Sequence, residues 1–388
     1  MTVLRLPGAI DGHVHGRDPG YPEKEDFASL SAAARAGGVT TVLDMPNNVP
    51  APDTGEALTL KAAFVAERAG VNYGLWGLLR SSSTSDQLRG LAEAGAIGFK
   101  AYLGYAYRFS ARTVTYTPGG SADEDLEPPP SYETLDRLGP ALASLGLPVA
   151  VHAEDPAILR EAARPVGSYA DLLESRPAEA EATAIRRCAE VARRHGFRLH
   201  VVHVASALGV GEVRRARAAD TPLTAETCPQ YLWLCDADFE RAGPWMKMYP
   251  LIRTASDREA VRAALLDGVI DTVGTDHAPH TAAEKDRPLE AAHAGSPGVQ
   301  WLYVAALEFA RRFGGDALLA VRWVAERPAE IFGVSPNGWV EIDDAAVTVA
   351  GDGALSRQPR SALDGLEFGF RVLRVDAPPA GRWVRPTG

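Results

Sequence analysis

Short, nearly unbroken apolar runs alternate along this chain with longer stretches whose apolar residues return every three or four positions. The runs at residues 9–13, 40–44, 72–77, 96–100, 148–152, 199–203, 223–226 and 269–274 read as strands. The stretches at 26–36, 54–69, 84–94, 178–195, 208–219 and 257–266 read as helices. Several of them stop at glycine, as in Ala36-Gly37-Gly38, Ala69-Gly70 and Ala94-Gly95. Near-continuous apolar strands alternating with helices predict a parallel sheet covered on both faces. Eight such strands predict an α/β fold of the (β/α)8 TIM-barrel type rather than an open doubly wound sheet.

Two regions leave the alternation. Residues 104–131 are aromatic, then rich in Gly, Asp and Glu, then end in a proline run, which predicts a lid or a partly ordered excursion at the barrel's active face. From about Gly338 the pattern turns to period two (WVEIDDAAVTVAGDG, then FGFRVLRV), which predicts a small C-terminal β appendage, a truncated β-sandwich. The expected division is a barrel over residues 8–335, with 336–388 and residues 1–7 forming the appendage.

Composition narrows the classes. Of 388 residues, 46% are hydrophobic and 23% charged, which excludes a largely disordered chain. Lys and Arg total 40 against 50 Asp and Glu, and a net charge of −10 argues against nucleic acid as the main partner. Three cysteines without a Cys-x-x-Cys pair exclude a disulfide scaffold and a thiolate zinc site, and Cys188 reads as a buried free thiol. No window approaches 18 consecutive apolar residues, and the N-terminus lacks an apolar signal core, so no membrane partner is expected and the protein reads as cytoplasmic.

The histidines are not scattered. His13 and His15 sit two apart at the end of the first predicted strand, where alternation points both to one side. Lys100 ends the fourth run, His152 the fifth and His203 the sixth, and Asp276 follows the eighth in GTDHAPH. In a barrel these strand ends share one rim, and imidazoles converging there with a carboxylate suit a divalent metal such as zinc. A lone histidine at a strand end is more often a core or capping residue, and His195, His200 and His293 are read that way.

DGHVHGRDPG, DMPNNVP, FKAY, VHAED, HVAS, ETCPQYL and GTDHAPH resemble, in that order, the cyclic amidohydrolase branch of the amidohydrolase superfamily. The resemblance is strongest to dihydroorotases, with allantoinases and hydantoinases/dihydropyrimidinases nearby. It implies two divalent metals, usually zinc, one held by His13, His15 and Asp276 and the other by His152 and His203. Lys100 would bridge them after carboxylation by CO2, because a carbamate is an anionic ligand where an ammonium would be repelled. It further implies a hydroxide activated between the metals, with Asp276 as general acid and base in the reversible opening of a ring amide. Arg17, Asn47 and His280 match the residues that grip the substrate carboxylate, and Tyr249, Pro297 and Gly298 match further substrate positions. Arg17 can equally pair with Asp18 or Glu23, and Asn47 can be a turn residue.

The chain also departs from the dihydroorotase pattern. Gly16 replaces the usual leucine, Tyr249 replaces an asparagine, and ETCPQYL is closer to hydantoinases and allantoinases. The excursion at 104–131 is long, and Tyr105 or Tyr107 can reach the site from it. Many relatives carry about 50 residues of β-sandwich before the first histidine pair, so that module is expected to be truncated here. The leading expectation is ring opening of dihydroorotate to N-carbamoyl-aspartate. An allantoinase- or hydantoinase-like hydrolase and a catalytically silent partner protein are the alternatives. A homo-oligomer is expected from the family, and Trp323 and Trp339 can serve an interface or, more simply, the core.

Overall fold

The computed structural model describes residues 3–117 and 122–387. In chain order the strands begin β1 (Val3–Pro7), β2 (Ala9–Val14), β3 (Val39–Asp44), β4 (Asn72–Leu75), β5 (Gly77–Leu78) and β6 (Phe99–Tyr102). There follow β7 (Tyr105–Arg108), β8 (Thr113–Tyr116), β9 (Leu126–Glu127), β10 (Val149–His152), β11 (Leu199–Val201), β12 (Leu223–Thr227) and β13 (Thr272–Val273). The last are β14 (Trp339–Asp343), β15 (Thr348–Val349), β16 (Glu367–Phe368) and β17 (Arg371–Asp376).

The parallel staves run in the order β2-β3-β4 and β5-β6-β10-β11-β12-β13, with β4 and β5 forming one stave interrupted at Trp76. A parallel bridge from Val14 to His277 joins the two ends, and the His15 N–H donates to the His277 carbonyl at 2.8 Å. Eight staves therefore close on themselves as the (β/α)8 barrel. The helices between them start where the sequence offers a cap. Asp26, Thr54, Thr84, Ser131, Ser206 and Thr254 each accept hydrogen bonds from the first turn of the helix that follows.

Inside the barrel, Ile10, Leu43, Met45, Trp76, Ile97, Ala150 and Val202 pack on Ile331 and Phe332 of the short helix Arg327–Phe332. Phe332 meets Trp76 edge-on at 5.6 Å, and its ring would lie 2.7 Å from any Cβ added at Gly12, so only glycine fits there. The larger cluster fills the layer between the strands and the outer helices.

Two predicted strands end elsewhere. β6 begins only at Phe99, because Gly98 lies close against the Pro148 carbonyl, so Lys100 is the second residue of its strand rather than the last. β11 stops at Val201, and His203 lies beyond it with φ +45°, a turn that swings its ring inward. The excursion pairs in part as an antiparallel sheet, β8-β7-β9, tied down by Arg80, which bonds Asp53 and Glu127 and covers the Tyr107 ring at 3.8 Å. Part of the excursion, residues 118–121, lies outside the described residues.

Away from the barrel, β1 pairs antiparallel with β14, β14 pairs with β17, and β15 pairs with β16. Trp323 is buried, whereas Trp339 is 47% exposed beneath the Arg5 guanidinium and takes no part in the core. All three cysteines are free and buried. Among the described residues no helix is long and apolar enough to cross a membrane. Truncating the plug should be costly: Phe332→Ala is expected to lose about 3–5 kcal/mol in denaturant unfolding.

Candidate active site

The C-terminal rim of the barrel holds a cavity of about 470 Å3. His13, His15, Arg17, Asn47, Lys100, His152, His203, Tyr249, Asp276 and His280 all line it, together with Tyr102, Tyr105 and Tyr116. Every sequence-predicted metal ligand is therefore brought together. Pro297 and Gly298 stand outside the lining. The Gly298 N–H donates to His277 Nδ1 at 3.1 Å, and the Pro297 carbonyl accepts from Ser361 at 2.8 Å, so both serve the wall behind the cavity.

The donors converge in two groups. His13 Nε2 and His15 Nε2 lie 3.2 and 3.0 Å from Asp276 Oδ1. Their other nitrogens are engaged behind, His13 Nδ1 with Glu226 at 2.9 Å and His15 Nδ1 with Asn47 Oδ1 at 2.7 Å. In the second group, His152 Nδ1 faces His203 Nε2 at 2.9 Å, and His152 Nε2 is held by Glu154 at 2.9 Å. An imidazole fixed from behind by an oxygen while its free nitrogen points to a shared spot is the usual setting of a metal-binding histidine.

Burial makes the His13 and His203 rings ligands rather than acids. It pushes His13 and His203 well below the ordinary imidazole range, with Lys100 and neighbouring imidazoles adding to the effect. Lys100 itself is fully buried and drawn down to about 8, again chiefly by burial. Among the described residues its Nζ has no hydrogen-bond partner, and neither do His203 Nδ1 and the Tyr102 hydroxyl. Orphaned buried polar atoms are rare, and a cluster of them amid neutral imidazoles and a carboxylate fits a pair of divalent cations with an anionic bridging ligand.

The backbone is strained at the same place. Of five non-glycine residues with positive φ among the described residues, Arg17 (+60°), His203 (+45°) and Asp276 (+49°) line this cavity. Such conformations cost about 1–3 kcal/mol each and gather where side chains must be aimed.

Arg17 is 8% exposed and pairs with neither Asp18 nor Glu23. Its Nε donates to the Pro279 carbonyl and one terminal nitrogen meets His280 Nε2, both at 3.1 Å. Burial and the adjacent guanidinium hold His280 down at about 3, so this partner is neutral. Gly16 has a reason too, since a Cβ there would lie 3.0 Å from Phe27 and 3.1 Å from Asp44. Asn47 lines the cavity, but its carbonyl oxygen is taken by His15. On the far wall the Arg176 guanidinium stacks 3.6 Å from the Tyr249 ring and pairs with Glu154, the holder of His152. Tyr105 meets His152 edge-on at 5.4 Å, whereas Tyr107 is turned under Arg80.

Of the histidines set aside, His195 pairs with Asp136 and His200 with Thr224. His293, read as a plain loop residue, instead lines the cavity, where it faces Glu284 at 3.5 Å and His280 at 5.1 Å between ring centres. Lys24 lies 2.7 Å from the same Glu284. Glu226, Glu154, Arg176 and Tyr102 were not singled out from the sequence. Only Glu226 carried a signal, as the last residue of a predicted strand.

The amidohydrolase family pattern matches residues 4–377. A dihydroorotase of Pediococcus pentosaceus is 34% identical over 88% of this chain and 77% of its own length. An allantoinase of Streptomyces avermitilis is 37% identical over 87% of this chain and 72% of its own. Among solved structures, an L-hydantoinase (dihydropyrimidinase) from Arthrobacter aurescens superposes with a TM-score of 0.87 at 25% identity, covering 98% of this chain and 89% of that one. The chain belongs to the amidohydrolase family and is a hydrolase of cyclic amides; that family generally uses a binuclear metal centre. Removing the support behind His13 should loosen the metal: Glu226→Gln is expected to lower metal affinity by about 10–100-fold in a chelator competition.

Proposed function

We propose that this amidohydrolase catalyses the reversible ring opening of dihydroorotate to N-carbamoyl-aspartate, a reaction of pyrimidine biosynthesis in the cytoplasm. The observation that carries this reading is Arg17, a buried guanidinium facing the cavity whose two protein partners are both neutral. Asp276, Glu284 and Asp44 favour its charge from a distance, but the cost of burial outweighs them and none of its hydrogen-bond partners among the described residues is a carboxylate, so a bound carboxylate would complete it with paired hydrogen bonds. Rings without a carboxylate, such as hydantoin, leave that cost in place. The likeness to proteins named dihydroorotase supports the same choice.

In this reading His13, His15 and Asp276 would hold one zinc ion and His152 and His203 the other, with a carboxylated Lys100 as a further anionic ligand. When bound, the metals supply a polarised amide carbonyl and a water of lowered proton affinity. The protein's own groups do the rest. Asp276 accepts the proton of the attacking water and delivers it to the ring nitrogen as the C–N bond breaks. Glu226 and Asn47 fix the tautomers of His13 and His15. Arg17, steadied by His280, sets the ring so that the amide rather than the carboxylate meets the metals. Tyr105, Tyr116 and Tyr249 cover the opposite side and exclude bulk water.

Tyr249 favours a second reading. It stands in the cavity where a dihydroorotase-like chain would place asparagine, and the curated relatives include allantoinases at similar identity. The choice is made by Arg17→Ala assayed on dihydroorotate and on a neutral hydantoin. The proposal expects KM for dihydroorotate to rise at least about 30-fold, some 2 kcal/mol, with the neutral ring unaffected. Hydantoin or allantoin turnover far above that of dihydroorotate in the wild type would decide for the second reading. Asp276→Asn is expected to abolish turnover on any ring while leaving thermal unfolding near that of the wild type.

A further inference from the structure

The helix Gly55–Ala66 buries Ala57, Leu58, Ala62 and Val65, and Lys61 lies buried with them at 3% exposure. Burial pulls its ammonium below the ordinary lysine range despite a carboxylate partner. Lys61 Nζ sits 2.5 Å from Asp44 Oδ2 and donates to Asn48 Oδ1 at 2.5 Å and to the Met45 carbonyl at 3.3 Å. It lines no part of the catalytic cavity.

Both side-chain partners go on to the backbone beside Arg17, one on each side. Asp44 Oδ1 accepts the Gly16 N–H at 2.6 Å, and Asn48 Nδ2 donates to the Asp18 carbonyl at 3.1 Å. Between these two anchors Arg17 is held at φ +60°, a conformation that a non-glycine residue leaves unless its neighbours are pinned. Lys61 is the buried counter-charge of Asp44, so removing it alone is destabilising, and the two anchors it joins set the backbone on either side of Arg17.

We propose that Lys61 is a positioning residue that holds Arg17 through Asp44 and Asn48, and so sets how tightly the cavity grips a substrate carboxylate. The inference rests on the carboxylate reading of Arg17 given above.

The test uses the metal-loaded protein and orotate, an unsaturated ring that keeps the carboxylate. Its affinity is measured by calorimetry for wild type, Lys61→Met, Arg17→Ala and the double variant. Lys61→Met is expected to weaken orotate about tenfold, the equivalent of one well-placed charge-assisted hydrogen bond. KM for dihydroorotate should rise in parallel with kcat unchanged, and Lys61→Met should add nothing in the Arg17→Ala background. Equal weakening in both backgrounds, a fall in kcat with KM unchanged, or no effect would overturn the inference while leaving the carboxylate reading intact. If Arg17→Ala binds orotate as the wild type does, the carboxylate reading fails, and the role of Lys61 with it. Should Lys61→Met not fold, Asn48→Ala removes the Lys61-to-Asp18 link while leaving the Lys61–Asp44 pair, and must give the same KM-only change for the inference to stand.

Discussion

Everything at the rim depends on the closure of the barrel between its first and last staves. The Val14–His277 bridge and the His15 N–H to His277 carbonyl bond bring His13 and His15 beside Asp276, a residue far along the chain. His277 is itself fixed on every side. Its backbone N–H donates to Thr275 Oγ1, its Nε2 meets Glu25 at 3.2 Å, and its Nδ1 receives the Gly298 N–H. A stave end pinned this way cannot slide, so the carboxylate and the two imidazoles keep their spacing with no hydrogen bonds of their own to spare. Pro297 and Gly298 therefore matter to the site as the wall that holds His277.

The second constraint is electrostatic. Low dielectric at the rim disfavours the protonated forms of His13 and His203, and the neighbouring Lys100 adds to that penalty. The same burial leaves Lys100 Nζ without a partner and lowers its affinity for a proton. A neutral amine is the form able to react with CO2, so the lowered proton affinity of Lys100 is in keeping with the carboxylation proposed for it. Donor atoms, strain at three backbone positions and an orphaned amine are separate costs borne at one place, which is the pattern of a site shaped for a ligand rather than for stability.

How much of this was legible in the sequence follows from what sets each feature. His13 and His15 could be paired because a strand alternates with period two, and the strand ends were legible because apolar runs stop where the chain meets the rim. Lys100 was read as a strand end, yet it precedes two more paired residues, because Gly98 must first pass close to Pro148. His203 turns inward through a left-handed backbone that no side-chain pattern announces. Glu226 and Lys61 act on residues distant in sequence, so only the closed fold reveals what they touch, whereas Glu154 holds His152 from two residues away. Asn47 was legible as a site residue, but its hold on His15 was not.

Arg17 in the cavity and Arg176 behind Tyr249 explain why the proposed reading turns on the charge of the substrate. Arg176 is neutralised by Glu154 and covered by Tyr249, so it presents an aromatic face to the ring rather than a cation. Arg17 has no such cover; its carbonyl and imidazole partners orient the guanidinium without cancelling its charge. The wall that departs from the dihydroorotase pattern is thus electrically quiet, while the wall that follows it carries a buried guanidinium that Asp276, Glu284 and Asp44 favour only from a distance. A substitution such as Tyr249 changes the shape of the quiet wall, and shape can be shared among rings of similar size. Charge on the opposite wall cannot be shared between carboxylated and neutral rings, because a buried guanidinium left without an anion costs more than a few altered van der Waals contacts. The asymmetry between the walls is what ranks the carboxylated ring first.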